Sequence, residues 1–184
     1  MFAYVILGLI AVFVLAYIVI YNGLVGERNM ARNTLSTIDV MLKRRHDLIP
    51  NLVNVVKGFA KHEKDVFERV IALRNQATSD GASEGERLSA EQQLTPQLGR
   101  ILAIAEDYPE LKSNDQFLNL QRNLTETEEQ IAAARRTYNA AVMDLNNAVE
   151  AFPSSIVASQ FGFERRSFFE AAEGERKHVS VDFN

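Results

Sequence analysis

The chain contains no cysteine and no tryptophan. The first absence excludes disulfide cross-links, thiolate metal sites, cysteine nucleophiles and a lipid-modified cysteine, and it fits a reducing compartment. Only 4 Pro and 9 Gly punctuate 184 residues, so long helices are expected. Alternating apolar and polar residues, the mark of a half-buried strand, never persist; Val179-Ser-Val181 is too short. The glycines are scattered and make no phosphate-cradling loop. Histidine is scarce: His46, His62 and His178. His62-Glu63 lacks the second histidine four residues after the first that a zinc-protease helix requires. His46 and His62 would lie roughly 24 Å apart along a helix, too far to share an ion. No nucleophile stands in a pattern with an activating base. The expectations are therefore no metal, no cofactor and no enzyme activity. A formal net charge of -4 argues against a nucleic-acid partner, which needs a concentrated basic surface.

Charge is also missing from the start of the chain, where the first charged side chain is Glu27. Phe2 to Ile20 is one nearly unbroken apolar run, and roughly 20 such residues cross a bilayer as a helix. Phe2, Tyr4, Ile10, Phe13, Tyr17 and Ile20 mark this span, with tyrosines near both ends as in interfacial aromatic belts. The alternative is a cleaved signal peptide, but no basic residue precedes the run and no small-residue cleavage pattern follows it. Arg28, Arg32, Lys43, Arg44 and Arg45 follow the span, so the positive-inside rule places the N-terminus outside and the remainder in the cytoplasm. Glu27 through Arg74 is net basic by about four charges and the remainder net acidic by about eight. Residues 1–23 thus read as an anchor, 24–163 as a helical bundle and 164–184 as a phenylalanine-containing polar tail.

From Leu24 to Ala77 apolar residues recur at steps of three and four, through Ala31, Leu35, Ile38, Leu42, Ile49, Leu52, Val56, Phe59, Val66, Val70 and Leu73. Pro50 interrupts this seam without changing its phase. A continuous helix kinked at Pro50 is preferred to a reversal in which Asp47 caps a fresh helix. Ser83 and Glu86 form a capping-box pattern for a second helix with Leu88, Leu94, Leu98, Ile101, Leu102 and Ala105 on its apolar face. Pro96 should weaken or bend it, and Tyr108-Pro109 should end it. A third helix is expected after Ser113 or Asn114, with its seam running from Phe117 to Phe152 and Pro153 as its stop. A short fourth helix follows over Ser154 to Gln160, ended by Gly162. The fold class is all-α: a membrane helix continuing into an antiparallel up-and-down bundle of three long helices and a short fourth.

Polar residues occupy these seams. Arg45 and Glu63 interrupt the first, Glu128 and Arg135 the third, with Asn51, Asn54, Asn139 and Asn146 beside them. In an antiparallel bundle Glu128 can meet Arg45 or Arg44, since a buried ion must be paired. Arg44, Arg45, Asp47, Asn51, Glu63, Glu128, Arg135, Tyr138 and Asn139 form one expected polar cluster. It acts either as a register device or as a switch. The Lys43-Arg44-Arg45 run reads as a solvated helix face. Leu24, Leu35, Phe161, Phe163, Phe168 and Phe169 are the candidate assembly surface. The tail phenylalanines read as core filler or, alternatively, as a patch that binds lipid.

The order of these residues resembles the bacterial LemA family. The resemblance rests on Tyr21-Asn22, Leu24-Val25 and Arg28-Asn29. It rests above all on Ile38-Asp-Val-Met-Leu-Lys-Arg-Arg-His-Asp-Leu-Ile-Pro-Asn-Leu-Val53. Tyr108-Pro-Glu-Leu-Lys112, Phe117 to Gln121, Thr127-Glu128, Ala134-Arg135, Tyr138-Asn139 and Phe152-Pro153 follow in register. Thr34-Leu-Ser36 and Pro96 depart from the family's usual pattern. The resemblance implies a helical bundle tethered to the inner membrane, supplies no active site, and includes a relative needed to shape magnetosome membranes. Membrane lipid, further copies of the chain, and a membrane protease or phosphatase-like protein are the expected partners. Two functions compete: a self-associating scaffold that organises membrane, and an adaptor that recruits a partner protein to it.

Overall fold

The computed structural model describes residues 1–169, apart from the Glu84 side chain; the polar end of the tail, including His178 and Val179-Ser-Val181, lies outside the described residues. Six helices follow one another: α1 (Phe2–Phe59), α2 (Lys64–Ala77), α3 (Glu84–Asp107), α4 (Pro109–Lys112), α5 (Asp115–Glu150) and α6 (Ser154–Phe161). The fold is all-α, with no strand among the described residues.

The local signals act where the sequence places them. The Ser83 hydroxyl accepts the Glu86 backbone N–H at 3.3 Å, and the Glu86 carboxylate accepts the Ser83 N–H at 2.8 Å, which closes the capping box of α3. These bonds to the ionised form hold the Glu86 carboxyl below its usual range. Asn114 Oδ1 accepts the Phe117 N–H at 3.0 Å and caps α5. Pro109 starts α4 where its missing N–H costs nothing, a one-turn element absent from the sequence reading. Gly162, at φ 67, ends α6 in the left-handed conformation that a side chain would strain.

Helix α1 runs through Pro50, as the in-phase seam suggested. Proline has no N–H, so the carbonyl of His46, four residues back, loses its helical donor. Arg74 on α2 replaces it, its Nε donating to that carbonyl at 3.0 Å. The seam does not stay on one helix as far as Ala77, however. α1 ends at Phe59, residues 60–63 turn, and Val66, Val70 and Leu73 belong to α2. A helix that continues and a helix that folds back both bury the same stripe, so phase alone cannot separate them. The second seam also shifts: Leu88 is 38% exposed, whereas Ala90 is fully buried ahead of Leu94, Leu98 and Ile101.

The chain divides into two compact units. One comprises residues 40–131, the other 1–39 with 132–169. In the first, Ile49, Leu52 and Val56 of α1 pack with Val70 and Leu73 of α2, Leu94, Leu98 and Ile101 of α3, Leu111 of α4 and Phe117 and Leu124 of α5. Each fully buried leucine or isoleucine there contributes about 2 kcal/mol. In the second, Leu24 of α1, Val157 and Ala158 of α6 and Phe163 form a smaller core, with Tyr17, Ile20, Tyr21, Val25, Ala148 and Val149 around it.

Candidate functional site

The head of α1 is helical and bare. Phe2 is 80% exposed and Phe13 76%; Tyr4 and Ile10 are likewise exposed, and only at Tyr17 and Ile20 does the stretch become half-buried. It is long and apolar enough to cross a membrane. A soluble monomer does not normally leave so large an apolar surface to water.

A buried ionic cluster lies in the unit of residues 40–131. Arg45 of α1 is wholly buried. Its Nη1 donates to Glu128 Oε1 of α5 at 2.8 Å and to Thr95 Oγ1 of α3 at 3.1 Å, and its Nη2 pairs with Glu91 of α3. The second Glu91 oxygen stands 2.7 Å from His46 Nε2. An ionised carboxylate only accepts, so Nε2 carries the proton. Burial pushes the His46 imidazole down to about 4; the Arg45 and Arg74 guanidiniums add to this and Asp47 opposes it. At neutral pH the His46 imidazole is thus neutral within the cluster. The polar atoms of the cluster are turned on one another, and it ties α1, α3 and α5 together.

The pairing of Glu128 with Arg45 follows the expectation from the seams, and Arg44 instead makes an exposed 3.8 Å pair with Glu126, of little energetic weight. The other expected members are elsewhere. Asp47 and Asn51 are exposed, and Glu63 stands at the break before α2. Glu91, His46 and Thr95 were missed as members. The available signal was position: Glu91 falls three residues before Leu94 and seven before Leu98, on the buried stripe.

Arg135, Tyr138 and Asn139 belong to a second set, in the other unit. Asn139 on α5 accepts the Phe169 backbone N–H at 2.8 Å and donates to the Phe169 carbonyl at 2.9 Å. Asn146, seven residues on, makes the same two bonds to Arg166, at 2.9 and 3.0 Å. Seven helical residues rise about 10.5 Å, and three extended residues span about 10 Å, so the two amides are spaced to meet Arg166 and Phe169. Tyr138 donates to the Ser167 carbonyl, and Arg135 lies over the Phe169 ring at 5.9 Å. Two amides thus bind the post-α6 segment as a neighbouring strand would.

The proposed assembly residues divide. Leu24 and Phe163 are core and cannot present a surface, because α6 covers them. Leu35 and Phe169 are half-buried, while Phe161 and Phe168 are about half exposed. The reading of the tail phenylalanines as filler therefore holds for Phe163 and not for Phe161 or Phe168. Among the described residues no group of three His, Asp or Glu side chains is placed to hold a metal ion. An open depression of about 370 Å³ is lined by Asn51, Asn54, Val55, Phe59, Asn114 and Gln116, none of them an acid, a base or a nucleophile of ordinary reactivity.

The chain is 28% identical to Magnetosome protein MamQ of Magnetospirillum gryphiswaldense, over 92% of this chain and 71% of that one. It is 27% identical to Magnetosome protein MamQ 2 of Paramagnetospirillum magneticum, covering 88% and 68%. It is 24% identical to Protein LemA of Metamycoplasma hominis, covering 94% and 78%. The LemA family model matches residues 34–183, a stretch that takes in both the Arg45 cluster and the asparagine pair, and the chain belongs to the LemA family.

Proposed function

We propose that this protein is a single-pass membrane scaffold without catalytic activity, which assembles with copies of itself on the cytoplasmic face of the inner membrane. The observation that carries the reading is the head of α1. An uncharged, exposed apolar stretch begins the same helix whose later residues, from Leu24 onward, enter packed cores. Such a helix places folded mass directly at a bilayer. The buried titratable groups support the non-catalytic part, because Arg45, His46, Glu91 and Glu128 are spent on one another and hold helices in register. Exposed apolar side chains outside the span, among them Met30, Val40, Met143 and Phe168, support assembly. Confinement to a membrane raises the local concentration of copies and favours weak contacts.

The test is mass measurement of the full-length protein in lipid nanodiscs of several sizes, after extraction of membranes with alkaline carbonate. The expected result is retention in the pellet and masses that rise in whole protomers as the disc grows. A strict monomer in every disc removes the assembly part; release by carbonate removes the anchor.

A further inference from the structure

Helix α6 lies against the end of the apolar stretch of α1, and its outer side carries exposed apolar residues beside Ser159 and Gln160. Between Glu150 and Glu164 the chain has no charged residue. Inside that interval Phe152 is 82% exposed, Ile156 56% and Phe161 50%. The same segment is fixed to α1 at the level of the span. Tyr17 donates a hydrogen bond to Gln160. The Phe161 ring packs edge-on to Tyr21 at 4.8 Å and lies 6.0 Å from Tyr17. Val157 and Ala158, on the inner side, are buried with Ile20, Tyr21, Leu24 and Val25 around them.

We propose that α6 and the turn before it are a second membrane contact, inserted in the headgroup and upper acyl region of the cytoplasmic leaflet beside the anchor. This rests on the reading of α1 as a membrane span. A span of roughly 20 residues starting at Phe2 ends near Tyr21. Tyr17 is then four residues, about 6 Å, inside that edge. Helices that lie in the interface bury their apolar side about 5–10 Å deep, which is the depth this hydrogen bond sets for the end of α6. At the edge of the uncharged interval, between the acids Glu150 and Glu164, Arg28 lies over the Phe163 ring at 5.0 Å and Arg166 follows, while Arg165 is paired with Glu150 at 2.9 Å. That is where anionic headgroups would meet them. The ligand is therefore lipid: an acyl-chain boundary for Phe152, Ile156 and Phe161, with phosphates over the arginines.

The absence of tryptophan makes the test direct, since any tryptophan introduced is the sole emitter of its kind. Full-length I10W, F152W, I156W and M143W proteins are reconstituted in phosphatidylglycerol-containing vesicles whose lipids carry bromine either high or low on the acyl chain. Phe152, Ile156 and Met143 are all exposed, so these substitutions leave the cores intact. The I10W emission should be quenched most by low bromines, and F152W and I156W most by high bromines, with blue-shifted spectra. M143W, on α5, should keep its emission. If F152W and I156W emit as in water while I10W is quenched, the anchor stands and the second contact is refuted. If they escape bromine yet are also shielded from aqueous iodide, a protein surface covers them and the lipid assignment is overturned. If I10W is not quenched either, the anchor reading itself fails. Quenching of M143W equal to that of F152W refutes the placement of α6 at the interface.

Discussion

Removing the Arg45 side chain leaves the Glu91 carboxylate buried beside a neutral histidine. Loss of one partner from a buried ionic set costs about 3–5 kcal/mol, so R45M should lower the urea midpoint steeply, as followed by circular dichroism. E128Q is the milder and more discriminating change, because Glu128 sits at the rim of the cluster and glutamine keeps its size. A register device predicts a loss of about 1–2 kcal/mol with assembly unchanged; a switch predicts an unchanged melting curve with an altered mass distribution. The outcome expected from the geometry is the first. His46 gives the cluster a pH dependence whose sign is fixed by its depressed pKa, about 4 against an ordinary 6.5. The unfolded chain binds this proton first on acidification. The stabilisation is complete above pH 6.5 and is lost as pH falls toward 4, at up to about 1.4 kcal/mol per pH unit. Urea midpoints at pH 7, 5.5 and 4.5 should decline in that order, and H46Q should flatten this part of the decline. The groups facing the imidazole are Glu91, Arg45, Arg74 and Asp47.

Helices α1 and α2 are joined by an uncommon exchange: Pro50 withholds a backbone donor and Arg74 supplies one. The two residues should therefore be energetically coupled. R74A should cost about 1.5–3 kcal/mol in the native background, the range for a charged donor, and clearly less in P50A, where an alanine N–H restores the helical bond. A double-mutant cycle by chemical denaturation measures this, and equal costs in both backgrounds would deny the exchange. The segment after α6 offers a second test at this scale. N139A should free the Phe169 amide to exchange with solvent, and N146A the Arg166 amide, each about 10-fold or more faster, because each asparagine makes both bonds to one residue. Hydrogen exchange read by NMR at those two amides is specific; uniform acceleration throughout α5 would instead indicate global destabilisation.

Each of the two units buries its own core, and the bare head of α1 contributes to neither until Tyr17. Deleting residues 2–16 should therefore release the protein from vesicles without unfolding it. Flotation gradients should find the shortened chain in the soluble fraction, with the helical signal per remaining residue preserved. Loss of that signal would mean that the apolar stretch is part of the folded core rather than an attachment to lipid. The same deletion leaves the Tyr17, Tyr21 and Phe161 rings in place, so any residual binding to anionic vesicles measures the contribution of α6.

What the sequence determined by itself was local. Helix ends were legible because a cap or a stop acts within one turn: Ser83 with Glu86, Pro109, Pro153 and Gly162 each fix the backbone of their immediate neighbours. The membrane-grade stretch was legible because nineteen uncharged residues declare themselves by composition alone. Polar residues on apolar stripes were legible too, Arg45 and Glu128 among them. The tertiary structure decided which distant groups meet. Glu91 reaches Arg45 and His46 only because α3 packs there, 45 residues away from His46 in sequence, and Asn139 and Asn146 find their partners on a segment that has no pattern of its own. It also decided that the first seam folds back after Phe59 instead of running on. A stripe of apolar residues specifies that a helix face is buried, but not against what. That choice is made by packing across space, where the free energy depends on neighbours that no window of sequence contains.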